Sequence, residues 1–221
     1  MIRKTFRFAA LPLSVALLAA TGLQAPVAHA QTAAASPAPA ATPSKLVLDN
    51  STRILNTLEA RRAEFTADRG KLRAFMAGEF NAIFDRDYAA RLVLGTHGRG
   101  ASDADVKLFA DALAESLMQR YGASLLDLNA RLQVRVKSET PIRGGAIVKV
   151  SSEYLRQGGE PVPVDYLMRQ SGGKWKVFDV MVEGVSFVQT FRNQFDTPLR
   201  QKSIAQVAAE LKAGSLQATA E

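Results

Sequence analysis

Two aspartates lie inside segments whose other residues are typical of buried strands, and they are the side chains best suited to acid–base chemistry. Asp165 lies in VPVDYLMR and Asp179 lies in GKWKVFDVMV. Carboxylates are uncommon inside strands and need partners when they are buried. Either aspartate could serve as a general base in an enclosed site if Tyr88 or Tyr166 completed the acid and base pair.

A structural role for the same two carboxylates is the alternative, and we favour it. An ion pair of Asp165 or Asp179 with Arg169 or Arg192 would fix a strand to a helix. The sequence does not evidently place a histidine or tyrosine to complete an acid–base pair. We therefore predict no catalytic residue. A small enzyme that uses Asp179 or Asp165 on an apolar substrate is retained as the alternative function.

His97 is the one histidine after residue 30, and it lies in the glycine-rich stretch GTHGRG. The chain has no cysteine, so a catalytic Cys/His pair is impossible, and zinc, which takes three or four protein ligands, is not expected. The stretch has the spacing of neither phosphate-binding glycine motif. A loop before a helix N-terminus could still offer N–H groups and Arg99 to an anion. We expect an exposed loop histidine and no metal site.

Ser186 is a third candidate, because Glu183 and Thr190 lie near it in the sequence and could be combined with it into a nucleophile set. The G-x-S-x-G turn that exposes a nucleophilic serine in hydrolases is absent around Ser186. Residues 184–187 are more simply the entrance of a helix, so we predict no covalent catalysis.

The elements that would position these residues are strands in the second half of the chain. Apolar and polar residues alternate in three of them, which is the period of a strand with one buried face. The fourth is apolar on both faces apart from Lys176 and Asp179, which indicates cover on both sides. Consecutive strands with short turns predict an antiparallel meander. The predicted strands are 131–137, 147–154, 162–169 and 175–182, with glycine turns at 144–145, 158–159 and 172–173.

The first half of the chain is predicted to be helical, because apolar residues recur there with helical spacing. Ser102 and Asp105 have the spacing of a capping box that opens a helix, and Ser203 and Gln206 repeat it near the end of the chain. Helices followed by a run of strands indicate an α+β domain with helices on an antiparallel sheet. The remaining helical signals are the stripes at 47–58 and 72–83, the short helix 88–94 and the segment 187–199.

Both ends of the chain differ in composition from the middle. Residues 1–30 have the basic start, apolar run and A-x-A site of a cleavable signal peptide, with cleavage after Ala30. Residues 31–43 form an Ala/Pro-rich leader that is expected to be disordered. We predict one domain over 44–214 and a disordered tail over 215–221. Without the three signal-peptide cations the formal charge of +7 falls to 25 positive against 21 negative residues, or +4, which is low for a nucleic-acid binder.

Three segments of the sequence, read together, resemble the MlaC family. They are FDRDYAARLVLG, VPVDYLMR and GKWKVFDVMVEGVSFVQTFRNQF. The resemblance extends over about 46–211 and is sharpest at DVMVEGVS, residues 179–186. These proteins are soluble periplasmic phospholipid carriers of the Mla lipid-transport system, also known as toluene-tolerance auxiliary proteins. The implied fold is a helical first half on a curved four-stranded antiparallel sheet, an NTF2-like cone with an apolar pocket.

The resemblance also implies a function and partners. The protein would shuttle glycerophospholipid between an outer-membrane lipoprotein in a porin complex and an inner-membrane ABC transporter that carries an MCE-domain ring. This traffic would maintain the lipid asymmetry of the outer membrane. The phospholipid would be cargo rather than a cofactor. We expect a monomer that binds no nucleic acid and is no enzyme.

A lipid carrier needs a dry apolar interior, because burial of acyl chains contributes about 0.8 kcal/mol per methylene. Branched and aromatic side chains on the inner sheet face and the facing helices suit this interior. Both faces of the last strand are included, because the sequence does not show which one is inner. The candidates on the sheet are Val134, Val148, Val150, Val164, Tyr166, Met168, Val177, Phe178, Val180 and Met181, and the helical candidates are Phe80, Phe84, Tyr88, Leu92, Val185, Val188 and Phe191.

Overall fold

The computed structural model describes residues 41–121, 126, 132–156 and 158–219. The predicted signal peptide and most of the predicted leader lie outside these ranges. Within them, helices precede and follow a single run of strands. The helices are α1 (Pro43–Ala60), α2 (Arg62–Ala67), α3 (Arg69–Ile83), α4 (Arg86–Leu94), α5 (Asp103–Tyr121), α6 (Phe187–Gln201) and α7 (Ile204–Ala213).

Side-chain caps fix where several helices begin. Ser203 and Gln206 form both hydrogen bonds of a capping box before α7, as their spacing predicts. The Ser102 hydroxyl accepts from the Asp105 N–H at 3.1 Å, so it caps α5. In a full capping box the Asp105 carboxylate would accept from the Ser102 backbone N–H. Here the carboxylate accepts from the Ser102 hydroxyl instead. Thr42 caps α1, so helix begins at the last residue of the predicted leader.

The sheet is antiparallel, and its strands lie side by side in chain order. The α+β class is therefore confirmed. The sheet has five strands where four are predicted, because two residues after β4 fold back and pair with Met181 and Val182. A strand this short has no alternation that a sequence pattern can register. The strands are β1 (Gln133–Ile142), β2 (Ile147–Leu155), β3 (Val162–Ser171), β4 (Lys174–Val182) and β5 (Val185–Ser186).

A β-bulge in β4 determines which of its side chains share a face. Met168 pairs with Val177, whereas the preceding residue of β3 pairs with Asp179, so Phe178 is the extra residue. Val177 and Val180 consequently lie on the same face although they are three residues apart. Asp179 lies on the opposite face. The bulge explains why β4 appears apolar on both faces in the sequence.

The buried side chains form separate clusters. One joins α1 to the sheet through Val47, which packs with Val148, Val150, Met168 and Val177. A second cluster is helical and joins α4, α5, α6 and α7. A third joins α1, α2 and α3. The clusters leave a space between α3 on one side and the α4, α5 and α6 group on the other, and this space forms the candidate site.

Residues 215–219 are packed on the helices, so the predicted disorder of the tail is wrong for this part of it. Ala218 is fully buried, and its N–H donates to the Ser116 hydroxyl at 3.4 Å. The Gln194 side chain donates to the Gln217 carbonyl and accepts from the Thr219 N–H. The segment is too short for its alternation of apolar and polar residues to predict packing on the helices.

Candidate functional site

A cavity of about 1040 Å³ lies between α3, α4, α5, β4 and the start of α6. Ligand pockets in proteins usually enclose about 300–1,000 Å³, so this one is at the upper end of the range. Protein interiors are normally packed without voids larger than a water molecule. A space of this size has room for a large ligand, and the normal packing of protein interiors does not account for it.

Short side chains on two helices create much of this space. Ala89 and Ala90 of α4 and Ala110 and Ala114 of α5 line the cavity where larger residues would fill it. The rest of its wall is mostly aliphatic and aromatic, and such walls favour apolar ligands over water. The larger apolar residues of the wall are Phe80, Phe84, Val93, Leu113, Leu117, Met118, Val180, Phe187, Val188 and Phe191.

Four polar residues of the lining lie at exposed positions, where the cavity meets solvent. Arg73 and Asn81 on α3 and Glu115 and Gln119 on α5 are exposed lining residues. This distribution gives the cavity an apolar interior and a polar rim. A ligand with a long apolar part and a polar end matches that arrangement.

Arg86 joins the two sides of the cavity near α4. Its guanidinium donates to Asn81 Oδ1 at 3.0 Å and to Asp111 Oδ1 at 2.6 Å. Lys107 donates to the other oxygen of Asp111 at 3.0 Å. Burial acts to raise the pKa of Asp111, but the hydrogen bond from Lys107 and the charges of Arg86 and Lys107 lower it from its ordinary value. Asp111 therefore stays ionised and holds α4 to α5.

Asp179 lines the cavity, but both of its oxygens are occupied. It is 6% exposed, and it accepts a hydrogen bond from the Ser186 hydroxyl at 2.6 Å and from the Val188 N–H at 3.0 Å. It thus ties β4 to the first turn of α6. The favoured structural interpretation fits this geometry, but the predicted partners are wrong. Arg169 donates to Asp85, and Arg192 donates to the Leu92 carbonyl.

Asp165 lies away from the cavity. Its carboxylate is 3.6 Å from Lys149 Nζ, and both side chains are partly exposed. Strand alternation in β3 puts Asp165 on the sheet face opposite to Tyr166. Neither aspartate is therefore placed as a general base with a free oxygen toward the cavity.

His97 is not the exposed loop residue that the sequence predicts. Its side chain is 22% exposed, and its Nε2 lies 2.9 Å from Asp196 Oδ1 on α6. The hydrogen bond from His97 and another from Arg200 lower the pKa of Asp196. Within the described residues, no three potential metal-ligating side chains are gathered. His97 therefore serves to attach its loop to α6.

A smaller chamber of about 150 Å³ adjoins the cavity at the sheet. Phe80, Phe84 and Val180 line both spaces. The chamber extends from these residues between α1, α3 and the sheet, and Tyr166 and Val177 belong to its wall. We refer to the two spaces as the main cavity and the small chamber.

The residues predicted to bind lipid divide into three groups. Phe80, Phe84, Val180, Val188 and Phe191 line the main cavity. Tyr166 and Val177 line the small chamber only. The remaining candidates line neither space: Tyr88, Leu92, Val134, Val148, Val150, Val164, Met168, Phe178, Met181 and Val185.

Physical reasons place the third group outside the site. Val148, Val150 and Met168 belong to the closed core beneath α1. The sequence prediction included them because strand alternation identifies the inner face of a sheet but does not show what covers that face. Val185 is 53% exposed. Tyr88 lies under the Arg169 guanidinium, which is 4.0 Å from the ring centre. These residues therefore lie in the sheet core, at the surface or in contacts between the sheet and its helices, and not in the cavity wall.

The sequence prediction omitted the residues that α4 and α5 contribute to the wall. In α5 the signal was present as alanines beside Leu113 and Leu117 in the segment LFADALAESLM. Such a stripe is also typical of close helix packing, so it does not distinguish a cavity wall from a contact surface. Within the described residues, none of the helices has the length and apolar character of a transmembrane span.

Comparison with known proteins agrees with this geometry. A family model described as MlaC protein matches residues 48–213, which is three quarters of the chain. The chain belongs to the MlaC family. The prediction made from its sequence segments is therefore confirmed.

Relatives of this MlaC-family protein are recognisable by sequence and by fold. Toluene tolerance protein Ttg2D of Pseudomonas putida is 26% identical over 157 residues, 71% of this chain and 72% of the relative. The intermembrane phospholipid transport system binding protein MlaC of Haemophilus influenzae is 20% identical over 156 residues, 69% of this chain and 72% of the relative.

A solved structure shares the fold of this chain. It is a phospholipid-binding protein from Ralstonia solanacearum in complex with a phospholipid, with a TM-score of 0.70 and 21% sequence identity. The match covers 79% of this chain and 98% of that one.

Proposed function

We propose that this MlaC-family protein is a phospholipid carrier of the periplasm. The main cavity, with about 1040 Å³ of apolar space and a polar rim, is the observation that carries the proposal. Two of the named relatives are described as a phospholipid transport binding protein and a phospholipid-binding protein. Family membership and the saturated carboxylate of Asp179 support binding without a covalent change to the lipid.

The cavity suits the acyl chains, and the rim suits the headgroup. Two chains with roughly thirty methylenes represent on the order of 20 kcal/mol of gross transfer free energy at about 0.8 kcal/mol each. A lipid with this preference does not cross water unaided on a useful timescale. The carrier holds its chains inside the cavity while the headgroup stays hydrated at the rim beside Arg73 and Glu115.

Membership of the MlaC family supports a route of transport between the two membranes of the envelope. The carrier receives and delivers glycerophospholipid at an outer-membrane lipoprotein–porin complex and at an inner-membrane ABC transporter with an MCE-domain ring. This traffic maintains the lipid asymmetry of the outer membrane. The signal peptide proposed for residues 1–30 directs the chain to the periplasm, with cleavage after Ala30.

A cavity-filling substitution tests the binding site. Ala114 lies in the wall of the main cavity, so Ala114→Trp should exclude part of the acyl chains and reduce the lipid content of the purified protein severalfold. Ala209→Trp is the matched control, because Ala209 is an exposed residue of α7. Bound phospholipid is quantified by organic extraction and phosphate analysis. Equal lipid content in wild type and the well-folded Ala114→Trp variant would reject the main cavity as the site.

A further inference from the structure

The small chamber is continuous in its wall with the main cavity. Phe80, Phe84 and Val180 line both spaces. The rings of Phe80 and Phe84 are stacked, with centroids 4.2 Å apart and planes at 18°. These two rings therefore form a partition between a large apolar space and a small one.

The backbone holds one side of this partition in place. Phe84 forms a bridge with Val177 of β4, and the Asp85 N–H donates to the Val177 carbonyl at 2.7 Å. Among the residues that the structure describes, Phe80 of α3 forms no such backbone link to the sheet. Truncation of Phe80 therefore opens the partition while the link between α3 and the sheet remains.

The polar side chains of the small-chamber wall all have hydrogen-bond partners. Tyr154 donates to the Ser51 hydroxyl at 2.9 Å, and its oxygen is 2.8 Å from the Tyr166 hydroxyl. Asn50 donates to Glu79 at 2.8 Å. Burial raises the pKa of Tyr166 well above its ordinary value, so this wall is uncharged. Paired hydroxyls in an apolar surround make little demand for water and tolerate a hydrocarbon neighbour.

The rest of the chamber wall is aliphatic, and the chamber is small. Ile54, Met76 and Ile83 line it together with residues of the sheet core. Its volume of about 150 Å³ is similar to that of an apolar protein cavity that holds one benzene molecule, so it has room for a few carbon atoms. The space is too small for a second ligand of lipid size. It matches the last few carbons of a chain whose remainder lies in the main cavity.

We propose that the small chamber receives the terminal methylenes of one acyl chain of the bound phospholipid, and that Phe80 and Ile54 set the chain length that this protein prefers. The inference rests on the proposed carrier function and deepens it. The main cavity binds the bulk of the chains, whereas the small chamber discriminates among their lengths.

Competition among lipids of different chain length tests this subsite. Delipidated protein is incubated with vesicles of dimyristoleoyl, dipalmitoleoyl and dioleoyl phosphatidylglycerol in equal amounts, recovered, and its lipids are extracted and quantified by mass spectrometry. The readout is the ratio of longest to shortest chain in each variant divided by that ratio in wild type. This division removes the preference of each lipid for the vesicle.

Ile54→Trp fills the chamber and Phe80→Ala joins it to the main cavity, so the two variants should move the ratio in opposite directions. Ile54→Trp should lower it roughly fourfold for each methylene displaced, the equivalent of about 0.8 kcal/mol. Phe80→Ala should raise it. Leu48→Trp adds the same ring at an exposed position of α1 and should leave the ratio unchanged.

The outcomes separate this inference from the carrier function. Normal lipid occupancy with an unchanged chain-length ratio in Ile54→Trp or in Phe80→Ala overturns the subsite and leaves the carrier intact. If Ile54→Trp does not fold, the direction of the shift in Phe80→Ala decides. A wild-type protein that takes up no phospholipid from the vesicles overturns both the carrier function and the subsite.

Discussion

Asp179 illustrates how a buried carboxylate in a cavity wall serves structure. Its carboxylate accepts hydrogen bonds from the Ser186 hydroxyl and the Val188 N–H, so both of its oxygens have donors at the first turn of α6. A negative charge near a helix N-terminus is also favoured by the helix dipole. The same residue would be a candidate base in an enzyme, and the occupied oxygens distinguish the two roles.

Replacement of Asp179 by alanine should therefore lower the stability of the fold, because the role of this residue is structural. The substitution leaves the Ser186 hydroxyl and the Val188 N–H without their acceptor, and we expect unfolding free energy to fall by about 2–3 kcal/mol. Asp165→Ala is the control, because its ion pair with Lys149 is partly exposed and such pairs contribute less than about 1 kcal/mol. Urea unfolding of both variants measures the difference. Equal losses in the two variants would contradict the structural role of Asp179.

At the scale of elements, two neighbouring residues of β4, Val180 and Met181, differ in whether they line the cavity. Val180 lies on the cavity side and lines both spaces. Met181 is the next residue, pairs with Asp165 and lines neither space. Adjacent residues of a strand point to opposite faces, so this pair tests which residue near the end of β4 contacts the lipid.

A carboxylate at each of these two positions should have different effects on lipid content. Val180→Glu places a charge among apolar side chains, and a penalty of only about 1.4 kcal/mol already reduces affinity tenfold. We expect Val180→Glu to lower bound phospholipid at least roughly tenfold and Met181→Glu to retain most of it. Lipid extraction, with thermal unfolding as the check on folding, measures this. Greater loss in Met181→Glu would show that the opposite face of β4 is inner.

The sequence predicted most elements but little of the site, for definable reasons. Helix caps such as Ser203 and alternating strands such as β3 depend on local residue patterns, so they were predictable. The bulge at Phe178 depends on pairing between strands, and β5 is too short to form a pattern. The main cavity depends on how alanines of α4 and α5 are placed opposite α3. That placement is tertiary, so local patterns do not contain it.

At the scale of the whole molecule, the protein combines tightly packed hydrophobic cores with the main cavity. The sheet core around Val150 and the helical core around Phe109 and Phe195 are fully buried. Ala90 and Phe191 belong to the helical core and also line the main cavity, so this core forms one wall of the cavity. The buried residues of the sheet core do not line the main cavity, so cargo can be loaded and unloaded without opening the sheet core.

We expect the protein purified without residues 1–30 to carry a phospholipid in the main cavity. Native mass spectrometry of this protein, followed by organic extraction and lipid analysis, tests that expectation. We expect a mass increment of one glycerophospholipid per chain and a diacyl phospholipid in the extract. Protein that is free of lipid as purified and remains so after incubation with phospholipid vesicles would contradict the claim.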